Sequence, residues 1–262
     1  MVTDPQAPAP SSDRPYLTIV IPAFNEERRL PRTLEAVTAY LQAQPFPSCI
    51  LVVDDGSSDR TAELVEQMLP SNPRLHLIRN DHRGKAYTVR TGMLAATGRY
   101  ILFCDADLAT PIAEWEKLAP YFDAGYDVVI GSREGLGAVR HDEPWYRHLM
   151  GRVFNLIVRL VAVGGFQDTQ CGFKAFRYEV AQDIFRRVHL YADNAPPVRG
   201  AAVTGFDVEL LFLAVKRGYR VKEVPVEWHY GSETKVHPLH DSLRNLRDAL
   251  MVRWNDLRGV YD

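Results

Sequence analysis

The feature that most narrows the fold is an alternation in the first half of the chain, where short unbroken apolar runs are each followed by an amphipathic helical stretch. A strand is expected at 17–21 and a helix at 27–41, then a strand at 50–53 leading into a helix that Asp59 is placed to cap. A third strand at 75–78 precedes a helix at 85–96, and a fourth at 100–104 stops against Asp105. A helix at 115–122 and a fifth strand at 127–130 continue the series. Strands that are apolar at consecutive positions bury both faces, and helical returns keep successive strands parallel. The expectation is therefore an α/β fold with a mostly parallel central sheet and helices on both faces.

The second half is less regular. A long helical pattern at 145–163 is closed by Gly164 and Gly165, and a strand is expected at 173–176 and a helix at 208–216. The run 219–226 reads as a strand in which Pro225 marks an edge or an end. A last helix covers 239–257, and 194–200, with Pro196, Pro197 and Gly200, reads as a mobile loop. With no internal repeat and no clear linker, the expected division is a disordered tail at 1–15, one catalytic domain at 16–236 and an amphipathic helix at 237–262. The opening MVTDPQAPAPSSDRP lacks the basic start and apolar stretch of a signal peptide. No apolar run approaches the roughly 18 residues that span a bilayer. A cytoplasmic protein is expected, with peripheral contact at the cytosolic face of a membrane left open. A net charge of −2 gives no reason to expect nucleic acid as a partner. Cys49, Cys104 and Cys171 lie in or beside apolar runs without metal-ligand spacing and read as reduced, buried thiols.

Ligands of open parallel sheets collect at the carboxyl ends of strands. Polar clusters follow three of those ends: Pro22-Ala23-Phe24-Asn25-Glu26, Asp54-Asp55-Gly56-Ser57-Ser58-Asp59 and Asp105-Ala106-Asp107. The first strand does not lead into G-x-G-x-x-G, which disfavours a dinucleotide fold. Asp105 and Asp107, two residues apart beyond an apolar strand, aim their carboxylates the same way if the backbone stays extended. Such a pair suits a hard divalent cation that bridges diphosphate oxygens and offsets charge on a leaving nucleoside diphosphate. A solvated loop or helix cap is the bland alternative for D-x-D alone. Asp54 is placed to accept a hydrogen bond from a nucleobase, or to cap the next helix, and for Asp55 the cap is the better reading. Glu26 and Asn25 are placed near ribose or base. Gly84 and Lys85 open a helix whose N–H groups and ammonium suit an anion.

The runs IPAFNEE, VVDDGSSDRT, RGKAYTVRTG, DADLATP, GSR and DTQCGFK, in this order, resemble glycosyltransferase family 2 over about residues 17–241. They are similar in particular to the polyprenyl-phosphate sugar transferases, the dolichyl-phosphate glucosyltransferase and mannosyltransferase group. The resemblance implies a GT-A fold with an irregular acceptor-side C-terminal part, inversion at the anomeric carbon, and Mg²⁺ or Mn²⁺. By motif, Pro22, Ala23, Phe24, Glu26, Asp54, Lys85, Asp105 and Ala106 would hold the nucleotide sugar, and Asp105 and Asp107 the metal. The mannosyltransferases carry glutamine where this chain has Ala109, which favours UDP-glucose as donor and leaves GDP-mannose as the second choice.

A sugar hydroxyl acceptor needs a general base, whereas a phosphate monoester, with a second pKa of about 6, is already largely dianionic and needs cations to position it. Arg133 and Arg147 match that role in the resembling family, and Lys235 would neutralise donor or acceptor phosphate. Surface salt bridges are the plain alternative for all three. Asp168 is the candidate base for a hydroxyl acceptor, or a group that orients Lys174 or an arginine. Asp207 and Glu209 are weaker competitors. Apolar stripes on 145–163 and on the last helix (Leu243, Leu246, Leu250, Trp254, Leu257), both rimmed by arginine, suit a bilayer interface or docking onto the sheet. The expected activity is hexose transfer from a nucleotide sugar to a polyprenyl phosphate. A soluble or polysaccharide hydroxyl acceptor and an inert nucleotide-sugar-binding protein are the rivals.

Overall fold

The computed structural model describes residues 14–144, 148, 151, 152, 155, 156, 158, 159, 161–192, 198, 205–231 and 238–262, the last set without the side chains of 238–243. Arg147, Lys235, most of the expected tail and of the loop at 194–200, and nine of the nineteen residues of the helix at 145–163 lie outside them.

The alternation read from the first half is present. β1 (Leu17–Ala23), α1 (Leu30–Gln42), β2 (Ser48–Asp54), α2 (Thr61–Met68), β3 (Leu75–Arg79), α3 (Lys85–Ala95), β4 (Tyr100–Cys104), α4 (Trp115–Asp123) and β5 (Val128–Ser132) succeed one another. Then follow β6 (Val139–His141), β7 (Phe173–Arg177), α5 (Tyr178–Arg187), α6 (Phe206–Lys216), β8 (Val221–Pro225), β9 (Glu227–His229) and α7 (Pro238–Leu257). The residues described between 148 and 161 are helical.

Seven strands form one sheet in the order β3-β2-β1-β4-β7-β5-β8, parallel except for β7, which runs antiparallel to both its neighbours. The register places Ala23 opposite Asp54, Val20 opposite Phe103, Cys104 opposite Phe173 and Ser132 opposite Pro225. The carboxyl ends of β1, β2, β4, β5 and β8 therefore share one edge with the amino end of β7. Period-2 alternation sends Ile19 and Ile21 into a core with Leu34, Val37, Trp115 and Phe122, from α1 and α4. Val20 faces the opposite core with Val89, Phe103, Phe176, Ile184 and Leu213, from α3, α5 and α6. Because both faces of β1 are apolar, helices must cover both.

Three features differ from expectation. Tyr178–Arg187 is a helix, with Val180, Ala181, Ile184 and Phe185 buried and Arg186 and Arg187 in its last turn. The single strand expected at 219–226 is two: β8 ends at Pro225, which has no N–H to donate, and β9 leaves to pair with β6 in a separate two-stranded sheet. Of the stripe read on α7, Leu246 packs on the core, whereas Leu250, Trp254 and Leu257 face outward and the side chain of Leu243 is not among those described. The helix docks instead through Asn245, Asp248, Ala249, Val252 and Asn255. Among the described residues no helix is long and apolar enough to cross a membrane.

The chain end is tied down by Glu209, whose carboxylate accepts hydrogen bonds from His189 N (2.8 Å), Leu190 N (3.2 Å) and Tyr261 Oη (2.7 Å). Burial outweighs these bonds and pushes the carboxyl from its ordinary 4.5 up to about 7. The folded state thus binds this proton more tightly than the unfolded chain, so stability falls as pH rises through that window and does not recover above it. Urea denaturation should show wild type losing on the order of 3 kcal/mol relative to Glu209→Gln between pH 4.5 and 8. Parallel pH profiles would assign the dependence to other groups.

Candidate active site

The nucleoside end is two loops stitched together by their own polar side chains. Asn25, at φ 53°, accepts Ser58 N–H at Oδ1 (2.8 Å), and its own N–H donates to Ser57 Oγ (2.9 Å). Glu26 N donates to Thr61 Oγ1 (2.7 Å) and Asp55 N to Ala23 O (2.8 Å). Pro22 and Ala23 are buried in the strand end, and Phe24 stacks on His82 with ring centroids 3.9 Å apart and planes at 3°. Asp54 accepts Ser57 N–H at Oδ2 (3.1 Å), while its buried Oδ1 has no hydrogen-bond partner among the described residues. A buried acceptor left without a donor is costly.

Asp55 does not cap α2. Asp59 does that work, accepting Thr61 N–H at 2.9 Å. Asp55 lies 2.8 Å from His82 Nδ1 and accepts the N–H groups of Arg83 (2.9 Å) and Gly84 (2.9 Å). It thereby fixes the turn that opens α3, where Gly84 at φ 92° takes a conformation an L side chain rarely adopts. The next residue, Lys85, reaches across to Asp105, with Nζ 2.5 Å from Oδ1.

Asp105 and Asp107 stand directly beyond β4, with the Ala106 carbonyl between them accepting from Thr33 Oγ1 (2.7 Å) and the Ala106 side chain buried. Arg29 links this pair to the nucleoside end: it makes two 2.7 Å bonds to Glu26 and lies 3.6 Å from Asp107. Burial and the neighbouring Asp105 charge hold the Asp107 carboxyl above its ordinary range. Two carboxylates that repel each other and offer only hard oxygen donors fit Mg²⁺ or Mn²⁺. The backbone leaves room for nothing else on one side, since a Cβ at Gly172 would come 2.1 Å from Asp105 Oδ2.

On the other side of β7 the groups form a buried network. Asp168, fully buried, takes two bonds from the Arg133 guanidinium (2.7 and 2.9 Å), one from Arg133 N (3.0 Å) and one from Gln170 N (3.1 Å). Burial alone would raise its pKa, but the Arg133 charge and these bonds hold it well below the usual carboxylate range. Arg133 also lies over the Trp228 ring, 5.4 Å from its centroid. Lys174, expected as a possible partner of Asp168, bonds instead to Asp207 (2.6 Å) and the Cys171 carbonyl (2.5 Å). Burial raises the Asp207 carboxyl despite that contact. Glu209 bonds instead to His189 N, Leu190 N and Tyr261 Oη.

These loops belong to a known lineage. Residues 18–185 match glycosyl transferase family 2. The chain is 31% identical to the dolichyl-phosphate beta-glucosyltransferase of Dictyostelium discoideum, covering 95% of this chain and 77% of that one. The chain belongs to glycosyltransferase family 2. It is thus a glycosyltransferase with the GT-A fold. Among solved structures, a mannosyltransferase from Pyrobaculum calidifontis in complex with GDP-Man and Mn²⁺ superimposes with a TM-score of 0.59 at 21% identity, over 97% of this chain and 68% of that one. Glucosyl-3-phosphoglycerate synthase from Mycobacterium tuberculosis, in complex with Mn²⁺, UDP-glucose and phosphoglyceric acid, gives 0.61 at 16% identity, over 91% and 79%. These two support the fold.

The transferase thus gathers Pro22, Ala23, Phe24, Glu26, Asp54, Lys85, Asp105, Ala106 and Asp107 along one sheet edge, with Arg133 and Asp168 beyond β7. Sequence reasoning missed Arg29, His82, Gly172, Glu223 and Trp228. Arg29 alone left a signal, three residues after Glu26 at the entrance to a helix. The Arg133–Asp168 pair is open to a double-mutant cycle. Arg133→Ala, which strands a buried carboxylate, should cost about 3–5 kcal/mol in urea denaturation. Adding Asp168→Ala should cost much less than a second independent loss, and additive losses would mean the two do not act as a pair.

Proposed function

We propose that this transferase moves a hexose, with glucose from UDP-glucose the favoured donor, onto the phosphate of a polyprenyl phosphate of the dolichyl type. The observation that carries the acceptor class is the state of Asp168. Its carboxylate is occupied by a guanidinium and two backbone N–H groups and its proton affinity is suppressed, so it is poorly suited to act as a general base. A phosphate acceptor needs none, because its oxygen is already anionic at neutral pH. What it needs is a fixed cation, and Asp168 and Trp228 together hold Arg133 in one orientation.

In this reading Asp54 Oδ1 accepts an N–H of the base and the Phe24–His82 stack borders it. Lys85, whose ammonium stays charged because Asp105 and Asp207 outweigh the effect of burial, faces the diphosphate. A divalent cation on Asp105 and Asp107, when bound, supplies Lewis-acid stabilisation of the departing nucleoside diphosphate. The acceptor phosphate oxygen forms its bond to the anomeric carbon from the face opposite the leaving oxygen, so the configuration inverts. The name of the Dictyostelium relative supports both the glucosyl group and the lipid phosphate. GDP-mannose remains the second donor, named in the structure of the Pyrobaculum enzyme.

The outward row Leu250, Met251, Trp254 and Leu257, with Arg247, Arg253 and Arg258 exposed around it, supports contact with the surface of a membrane. We place the catalytic unit at 16–236 and assign the helix at 237–262 a double role, one face on the domain and one toward lipid, on the cytosolic side. Arg147 and Lys235 are further candidates for phosphate contact.

Release of UDP from UDP-glucose with Mg²⁺ or Mn²⁺ tests the assignment. It should require a short-chain polyprenyl phosphate and fall at least about 100-fold in Asp105→Ala. Release that is equally fast with a sugar alcohol, and that is lost in Asp168→Asn without loss of folding, would move the acceptor to a hydroxyl. Faster turnover with GDP-mannose would change the donor only.

A further inference from the structure

We propose a second metal site, separate from Asp105 and Asp107, in which His141, Glu227 and His229 bind a borderline transition metal ion of the Zn²⁺ type. It does not depend on the assignment of donor or acceptor. The three residues come from the small sheet: β6 and β9 pair in parallel with His141 opposite His229, and Glu227 lies two residues before His229 on the same strand face. The imidazole rings stack with centroids 4.4 Å apart and planes at 10°. Their Nε2 atoms converge on one carboxylate oxygen, Glu227 Oε1, at 3.1 Å from His141 and 2.9 Å from His229.

Hydrogen bonding accounts for this arrangement poorly. His141 Nε2 is buried and, despite the short distance, makes no hydrogen bond of acceptable geometry among the described residues. Two imidazole nitrogens and one carboxylate oxygen, all within 4.8 Å of one another, are instead a donor triangle. Tetrahedral Zn²⁺, with bonds of about 2.0–2.2 Å, sets its ligand atoms about 3.3 Å apart, close to the two nitrogen–oxygen separations here. Imidazole nitrogen selects borderline metals, whereas the all-carboxylate pair at Asp105 and Asp107 selects hard ones. Two histidines and a glutamate leave the fourth position for water.

The site would act as a clamp. β6 follows Arg133 by six residues and β9 leads to Gly231, near Asp107. The ribbon is already anchored by His229 N to Ala109 O (2.7 Å), Tyr230 N to His141 O (3.0 Å) and Glu227 N to Glu114 Oε2 (3.2 Å). Its opposite face carries Trp228, over the Arg133 guanidinium. A metal joining β6 to β9 would hold that tryptophan, and through it Arg133, in place.

The test is a Zn²⁺ titration of the full chain against a chromophoric chelator, with Mg²⁺ in excess to occupy hard oxygen sites. Wild type should bind one Zn²⁺. His141→Ala and His229→Ala should each weaken it by more than the roughly 10–100-fold that losing a mere supporting partner costs. Asp105→Asn should leave it unchanged. Wild type without Zn²⁺ affinity, indifference to both histidine substitutions, or loss in Asp105→Asn would each overturn the site. Should either histidine variant fail to fold, Co²⁺ added to wild type decides: strong visible ligand-field bands of a four-coordinate ion support the site, and the weak bands of a six-coordinate oxygen environment overturn it.

Discussion

The position of Asp105 against the backbone of Gly172 is the contact on which the rest of the site depends. It exists because β7 is inserted antiparallel between β4 and β5, with Cys104 opposite Phe173. The residue after one strand and the residue before the other must then meet, and only glycine lets the carboxylate come so close. That approach fixes one wall of the D-x-D loop. It also decides where the segment 168–172 lies, because that segment must reach the same edge from the far side. An all-parallel sheet would place an ordinary strand end there, and Asp168 and Lys174 would have no reason to lie at this edge.

Around this contact the charges alternate. Arg29 lies between Glu26 and Asp107, Lys85 bonds to Asp105, Lys174 to Asp207 and Arg133 to Asp168. Where such pairs are buried, as at Lys174–Asp207, they add little net stability over apolar packing of the same volume, since desolvation offsets most of their attraction. Their return is geometric: the Arg29 guanidinium, held between two carboxylates, has one place to be. The loops carrying them are held the same way. Glu223 of β8 accepts the N–H groups of Gln167 (2.8 Å) and Asp168 (2.7 Å) and the Ser132 hydroxyl (2.7 Å). A single edge-strand carboxylate thus aligns the segment that in turn orients Arg133.

The sequence was legible wherever a local rule had no competitor. Apolar runs buried on both faces can only be central strands, so β1, β2 and β4 and the polar clusters at their ends were readable without coordinates. The direction of β7 was not, because FKAF looks the same in either orientation and its neighbours are set by residues far away in sequence. The helix at Tyr178–Arg187 had a readable pattern, with Val180, Ala181, Ile184 and Phe185 on one face, but it begins directly after a strand with no side-chain cap to announce it. Asp55 was misread for a related reason. An acidic residue before a helix suggests a cap, and only the fold brings the 82–84 turn within its reach. On α7, whose apolar stripe left bilayer and sheet both open, Asn245, Asp248 and Asn255 lie on the docked face: Asp248 accepts from Gly205 N and Tyr191 Oη and Asn255 donates to Tyr261 Oη, Asn245 Oδ1 has no partner among the described residues, and the larger apolar residues turn outward.

That inversion decides which side chains the helix presents outward. Burying polar side chains in the α6–α7 contact costs more than burying leucine there would, unless each finds a partner. Asp248 finds two, at 2.5 and 2.8 Å. The helix is thereby fixed in rotation by hydrogen bonds, which are directional, as well as by the packing of Leu246, Ala249 and Val252. A fixed rotation keeps Leu250, Trp254 and Leu257 on the outer surface, where they are exposed by 53%, 56% and 82%. The anchoring of one face by directional bonds is what keeps the larger apolar side chains of the other face outward.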